Sequence, residues 1–117
     1  MREMIITLAG KEIALSLTWK TMCKIKDRVV DPVLLATEAV REAEALQAGK
    51  EYTPKVEFNT DVAIKIVSLA SGKDVDDIGE LFVENGIFES QAEVGNYLAA
   101  LIGSKSGKGD KDASAGN

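Results

Sequence analysis

The N-terminal segment up to Trp19 constrains the fold more than any other part of the chain. It contains two short runs in which apolar residues recur at every second position, the pattern of a strand with one buried face. The inward positions are Met4, Ile6 and Leu8 in the first run and Ile13, Leu15 and Leu17 in the second. Between the runs, Gly10 can adopt the positive φ that a tight turn requires. Because an isolated hairpin is only marginally stable in water, its apolar face must pack on the helices that follow or on another chain.

Beyond the hairpin the pattern is helical almost to the C-terminal end. Thr18 is a candidate N-cap for a first helix ending near Arg28, and Asp31-Pro32 is a strong start for a second helix ending near Ala48. The later elements are an ordered crossing loop at residues 50–58 and three helices at about residues 60–71, 74–85 and 90–102, with Asn59 or Thr60, Asp74 and Ser90 at their starts. The predicted fold class is α+β, an N-terminal β-hairpin packed on a small bundle of about five helices.

The apolar faces of these helices differ in how much surface they can bury. The helix at residues 60–71 is predicted to be the centre of the core, because apolar side chains surround it except on one narrow polar face. The inward positions of the helix at 74–85 are expected to be Val75, Ile78, Leu81 and Phe82. The second helix is rich in alanine and is expected to bury little surface per turn. Its apolar positions are Val33, Leu35, Ala36, Ala39, Val40, Ala43 and Leu46.

The C-terminal segment has a different composition. Residues 104–117 contain no Leu, Ile, Val or aromatic side chain, so they cannot bury enough apolar surface to offset the entropy of ordering. We therefore predict a hairpin-plus-helices domain at residues 1–103 and a disordered tail at residues 104–117.

Charge is distributed unevenly along the chain, whose net charge is −5. Residues 1–30 carry a net charge of +3, whereas residues 31–103 carry −9. Since an acidic body repels phosphates, no nucleic acid is expected as a partner. The asymmetry fits ordinary solvated helix faces. It also fits a surface with two ends of opposite sign, suited to head-to-tail self-association.

The sequence lacks the side chains that nucleophilic triads and zinc sites need. There is no histidine, which removes the common nucleophilic triads and most zinc sites, and Cys23 is the single cysteine. The acidic run at residues 74–79 is better explained by a capped helix start than by calcium binding. We therefore expect no enzyme activity, cofactor or metal. With no disulfide and no apolar run long enough for a membrane span, a cytoplasmic protein is expected.

The first helix carries the residues predicted to bind another protein. Trp19 fits either a core side chain that anchors this helix to the hairpin or an exposed interface anchor, since tryptophan is enriched among binding hot spots. Lys20, Lys24 and Arg28 form a basic row at helical spacing. The candidate protein-interface residues are Trp19, Lys20, Met22, Lys24 and Arg28.

The order of elements resembles a known family. Residues 6–13 (ITLAGKEI) and 15–20 (LSLTWK), followed by a small helical remainder and a polar tail, are similar to the tail assembly chaperones of long-tailed phages, including those of gene-transfer agents. A weaker similarity covers residues 61–85, where a helix, a Gly-Lys-Asp turn and an acidic helix follow one another. About half of the chain is involved.

This resemblance implies a non-catalytic role. Such chaperones cover the aggregation-prone helices of the tape measure protein until the tail tube polymerises around it. The implied partners are the tape measure protein and the major tail protein, in the host cytoplasm. Further copies of the chain are expected as partners from the charge asymmetry and from the unpaired edge of the hairpin. The alternative function is that of a small phage or mobile-element structural or adaptor protein, such as a head–tail connector or a host-factor-binding protein.

Overall fold

The computed structural model describes residues 2–103, so the tail predicted to be disordered, at residues 104–117, lies outside the described residues. Strand β1 (Glu3–Leu8) and strand β2 (Lys11–Ser16) pair in an antiparallel hairpin. Ala9 and Gly10 form its two-residue turn, with φ angles of 53° and 79°. Positive φ at both positions is typical of the type I′ turn, whose twist matches that of paired strands. The register places Ile6 opposite Ile13, which turns both side chains to the same face.

Five helices follow the hairpin in the described part of the chain, which confirms the predicted α+β fold class. They are α1 (Trp19–Arg28), α2 (Pro32–Gln47), α3 (Thr60–Ser71), α4 (Val75–Asn85) and α5 (Ile87–Leu101). Side-chain oxygens of Thr18, Asp31, Asn59 and Asp74 accept the hydrogen bonds that cap the first four. These local signals were readable in the sequence because each cap satisfies an amide within three residues of itself.

Helix α3 lies at the centre of the core, as the sequence predicted. It packs against β2, α1, α4 and α5, and Ile66 is fully buried. The hairpin contributes the other side of the core. The buried apolar side chains that share this core with α3 are Ile6, Leu8, Ile13 and Leu15 of the hairpin, Ile25 of α1, Leu35 of α2, Ile78 and Phe82 of α4, and Val94, Tyr97 and Leu98 of α5.

Two predictions about the later helices are wrong. Helix α5 begins at Ile87 rather than at Ser90, because Gly86, with a φ of 104°, reverses the chain directly after α4. Ser90 is fully buried instead, and its hydroxyl donates to the Gly86 carbonyl (2.7 Å). Val75 was expected to face inward but is 44% exposed. It is the first residue of α4 and lies beyond the edge of the core.

The junction between α4 and α5 also holds the turn of the hairpin. The Asn85 side-chain oxygen accepts a hydrogen bond from the Ala9 N–H (2.9 Å), and the Asn85 amide donates to Ser90 (3.0 Å). At the other end of the hairpin, the Tyr97 hydroxyl donates to the Ser16 carbonyl (2.5 Å). The hairpin is thus fixed to α4 and α5 by directional bonds as well as by apolar packing.

Candidate partner-binding surface

Trp19 lies at the surface, with 74% of its area exposed, so the interpretation of this residue as a core side chain is wrong. Hydroxyl groups occupy the junction between β2 and α1 instead. Thr21 donates to the Ser16 hydroxyl (2.8 Å), and the Thr18 hydroxyl donates to that of Thr21 (3.0 Å). Since Thr21 and Ile25 form the buried face of α1, Trp19 is turned towards solvent.

The five candidate interface residues fall into two groups. Trp19 and Met22 line an open groove of about 240 Å³ between α1 and the start of α2. Its other lining residues are Cys23, Lys26, Asp27, Asp31 and Val33. Lys20, Lys24 and Arg28 are also exposed, but they do not line this groove. The structure therefore provides an apolar groove and, separately, a basic row on the same helix.

Helix α2 buries very little of its apolar side. Of its predicted apolar positions only Leu35 is buried. Val33 is 47% exposed, Val40 56% and Leu46 78%. We call the α2 stripe the residues that a turn of about 100° per residue places on one side of this helix: Val33, Ala36, Ala39, Val40, Ala43 and Leu46. Because Val33 also lines the groove beside Trp19, the groove and the stripe form one continuous apolar surface.

A buried carboxylate holds α2 in place. Glu38 is only 1% exposed, and it accepts hydrogen bonds from the Tyr52 hydroxyl (2.7 Å) and from the Lys55 backbone N–H (2.7 Å). Arg41 lies 3.4 Å from its other oxygen. These bonds attach the segment at residues 50–58 to α2. The backbone hydrogen bond from Lys55, followed by that from Tyr52, lowers the pKa of Glu38 below its ordinary value, and the Glu38 bond and burial raise the pKa of Tyr52.

The sequence analysis did not identify this cluster. Glu38 and Tyr52 are 14 residues apart, and no local pattern pairs them. The one available signal was that Glu38 follows buried Leu35 at a spacing of three residues, which places a carboxylate on the inward side of α2.

Two open grooves lie between α2 and the segment at residues 50–59. One, of about 290 Å³, is lined by Leu35, Ala39, Glu42, Pro54, Val56, Glu57, Phe58 and Asn59. The other, of about 600 Å³, is lined by Ala39, Glu42, Ala43, Leu46, Lys50, Glu51, Tyr52 and Thr53. Both share Ala39 and Glu42, so the apolar surface of α2 is accessible from this side as well.

A second surface, between the hairpin and α4, is acidic. A cleft of about 510 Å³ is lined by Lys11, Glu12, Ile13, Lys73, Asp74, Asp77, Glu80, Leu81 and Glu84. Asp74 accepts the Asp76 N–H (3.0 Å) and so caps α4, as the sequence indicated. Across residues 2–103, no group of three or more His, Cys, Asp or Glu side chains is placed to hold a metal ion.

None of the helices within residues 2–103 combines the length and the apolar character needed to cross a membrane. Comparisons of the chain with models of protein families, with curated proteins and with solved structures gave no significant match. Function is therefore inferred from the apolar, basic and acidic surfaces of the molecule.

Proposed function

We propose that this protein is a non-catalytic tail assembly chaperone of a long-tailed phage, which binds the tape measure protein and keeps it soluble in the host cytoplasm. The observation that carries the proposal is the apolar surface that continues from Trp19 along α2 to Leu46, the latter 78% exposed. Contiguous apolar surface bordered by polar residues is typical of protein-binding sites. Trp19, at 74% exposure, is the kind of side chain that dominates binding energy when a partner covers it.

The rest of the molecule fits that role. A chaperone for aggregation-prone helices has to offer apolar surface while staying soluble itself. The net charge of −5 favours solubility, and the fully buried core around Ile66 keeps the fold independent of the exposed surface. The resemblance of residues 6–13 and 15–20 to this chaperone family points in the same direction.

Further copies of the chain are proposed as a second partner, and the major tail protein as a third. The exposed basic row Lys20, Lys24 and Arg28 on α1 is complementary to the exposed acidic side of α4, which carries Asp76, Asp77, Glu80 and Glu84. A pairing of these surfaces in a head-to-tail manner should weaken as salt screens the charges. Light scattering at low and high salt tests it, with Lys24→Glu as the variant that should reduce association. A strict monomer at high protein concentration and low salt contradicts self-association.

The function itself is tested by co-expression with the tape measure protein from the same genome. We expect the wild-type chain to move the tape measure protein from the insoluble to the soluble fraction. Trp19→Ser should reduce this effect. The matched control is Phe88→Ser on α5, because Phe88 is an aromatic residue that is even more exposed (83%) and does not line the groove beside Trp19.

Two results would contradict the proposal. One is a tape measure protein that aggregates to the same extent with and without the wild-type chain. The other is a gene that does not lie between those of a major tail protein and a very long tape measure protein, which would favour the head–tail connector or host-factor-binding alternatives.

A further inference from the structure

The α2 stripe is long enough to receive another helix. From Val33 to Leu46 it extends over roughly 20 Å, at about 1.5 Å per residue. Its larger side chains are exposed at both ends and near the middle, with Val33 at 47%, Val40 at 56% and Leu46 at 78%. A surface of this length and periodicity is the kind into which the apolar face of an amphipathic helix docks.

The shape of the stripe also favours a helix. Ala36, Ala39 and Ala43 lie between the larger residues, so a partner helix can approach α2 closely at these positions. At the N-terminal end, the groove beside Trp19 and Met22 can receive a larger apolar side chain of the partner. The docking site therefore has a groove at the N-terminal end of α2 and a flatter, alanine-rich surface along the rest of the helix, so a partner helix would bind in one orientation.

Charge at the border of the stripe indicates what kind of helix fits. On a turn of about 100° per residue, Glu42 lies beside one edge of the stripe and Glu44 beside the other. Glu51 and Glu57 are exposed on the segment next to the Glu42 edge. Among residues 2–103, none of these four carboxylates takes part in an ion pair, since the ion pairs join Arg41 to Glu38 and Lys65 to Asp61. Lys50 lines the groove on the Glu42 side as well, so the rim carries these four carboxylates and one ammonium group. Its net charge is negative, which favours a cationic partner.

We propose that the α2 stripe binds an amphipathic helix of a partner protein whose apolar face is bordered by Lys or Arg. This inference deepens the proposed chaperone function, and it rests on that function only for the identity of the partner. A second copy that packed its own α2 on the stripe in parallel would bring Glu42 and Glu44 close to like charges, which disfavours this occupant.

The test uses designed peptides and the intrinsic fluorescence of the full chain. Trp19 is the single tryptophan and lies at one end of the docking surface, so a bound helix should shift its emission to shorter wavelength. The probe is a tryptophan-free helical peptide of about 18 residues with a Leu/Ala face bordered by Lys. The matched peptide has Glu in place of each Lys. We expect the Lys-bordered peptide to bind about tenfold more tightly at low salt, with a smaller difference at high salt.

Variants of the chain locate the site. Val40→Glu places a charge in the middle of the stripe and should weaken binding of the Lys-bordered peptide by about tenfold or more. The double variant Glu42→Lys/Glu44→Lys should reverse the preference between the two peptides. Phe88→Ser should bind like the wild type. All of these positions are exposed, so circular dichroism should show an unchanged fold.

Three outcomes would overturn the docking site. They are equal binding of both peptides, an unchanged preference in the double variant, and a chain that sediments as a dimer and whose Trp19 emission is already at shorter wavelength without peptide. Failure of this inference is distinguishable from failure of the chaperone function. If wild type and Val40→Glu solubilise the tape measure protein equally, the docking site is wrong and the function stands. If the peptide results hold while the tape measure protein still aggregates, the function is wrong and the docking site stands.

Discussion

The core around α3 and the arm formed by α2 with residues 50–58 use apolar residues in opposite ways. In the core, side chains of both strands and of α1, α3, α4 and α5 cover one another, and Ile66 and Phe82 are fully buried. In the arm, Leu35 alone of the apolar positions predicted for α2 is buried, at 6% exposure, and it belongs to the core cluster, whereas Leu46 of the α2 stripe is 78% exposed. Both regions contain helices with apolar faces, but only in the core are those faces covered by other side chains.

This difference is explained by what attaches each region. Apolar packing is non-directional, so α3 gains stability by being surrounded. The arm is joined to this core by Leu35, which belongs to the buried cluster. Within the arm, the Glu38 carboxylate accepts bonds from Tyr52 and Lys55 and so ties residues 50–58 to one side of α2. Directional bonds fix a helix without covering its remaining faces. The core therefore provides most of the stability, and the arm provides the exposed apolar surface. Substitutions in the core should lower the free energy of unfolding, whereas substitutions in the α2 stripe should change binding with little effect on it.

The largest effect is expected for Ile66→Ala, at the centre of the core. Removing a fully buried isoleucine side chain loses its transfer free energy and leaves a cavity, so the free energy of unfolding should fall by about 2–5 kcal/mol. Urea denaturation followed by circular dichroism measures it. Leu69→Ala serves as the comparison within α3, because Leu69 is only half-buried and should give a smaller loss.

A fall of only a few tenths of a kcal/mol for Ile66→Ala would contradict the position of α3 as the core's centre. It would also break the contrast between the core and the exposed stripe of the arm, since a buried core residue would then tolerate truncation as exposed Leu46 is expected to do.

The parts of this contrast that the sequence could predict are the local ones. The hairpin and the helix starts depend on residues within a few positions of one another: the alternation around Gly10, and the caps at Thr18, Asp31, Asn59 and Asp74. The periodicity of α3 likewise indicated directly that this helix is buried. For Trp19 the sequence left a core and a surface position open, because it does not show that a polar junction, rather than an apolar one, forms where β2 meets α1. The Glu38–Tyr52 bond spans 14 residues, so it depends on the path of the intervening segment, which no periodicity specifies.

The second prediction concerns the polar group inside the core. Tyr97 is fully buried and its hydroxyl donates to the Ser16 carbonyl, so Tyr97→Phe should leave that carbonyl without its partner and destabilise the fold by about 1–3 kcal/mol. Burial raises the pKa of Tyr97 to about 12. Because the unfolded side chain ionises near its ordinary value of 10.0, the stabilisation is complete below that pH and is lost as pH rises towards about 12.

Unfolding curves of wild type and Tyr97→Phe across this alkaline range test the assignment. The difference in stability between the two proteins should shrink as pH rises. If the difference in stability stays constant with pH, the pKa of Tyr97 is the same in the folded and the unfolded state, and the assignment is wrong.

The third prediction addresses the polar group inside the arm. Hydrogen bonds lower the pKa of Glu38 below its ordinary value of 4.5, so its contribution to stability is present above that pH and is lost as pH falls through the lower folded value. In Glu38→Gln this acid sensitivity should be reduced. At neutral pH the variant should lose amide-exchange protection in α2 and at residues 50–58, while α3 stays protected.

Hydrogen exchange followed by mass spectrometry distinguishes this local effect from a global one. Equal loss of protection in α3 and α2 would show that the arm and the core unfold as one unit. The two regions would then differ in the exposure of their apolar side chains but not in local stability.

The smallest effect is expected for Leu46→Ala, at the exposed end of the α2 stripe. Since Leu46 is 78% exposed, truncation removes little buried area, and the free energy of unfolding should change by no more than about 0.5 kcal/mol. Leu35→Ala is the matched control, because it makes the same chemical change in the same helix at a buried position and should cost about 2–5 kcal/mol. Thermal melts at several protein concentrations sharpen the test. If Leu46→Ala destabilises the protein and the loss grows with concentration, the stripe is already covered by another copy of the chain, and the exposed surface of the arm is an interface between copies rather than a free site for a partner.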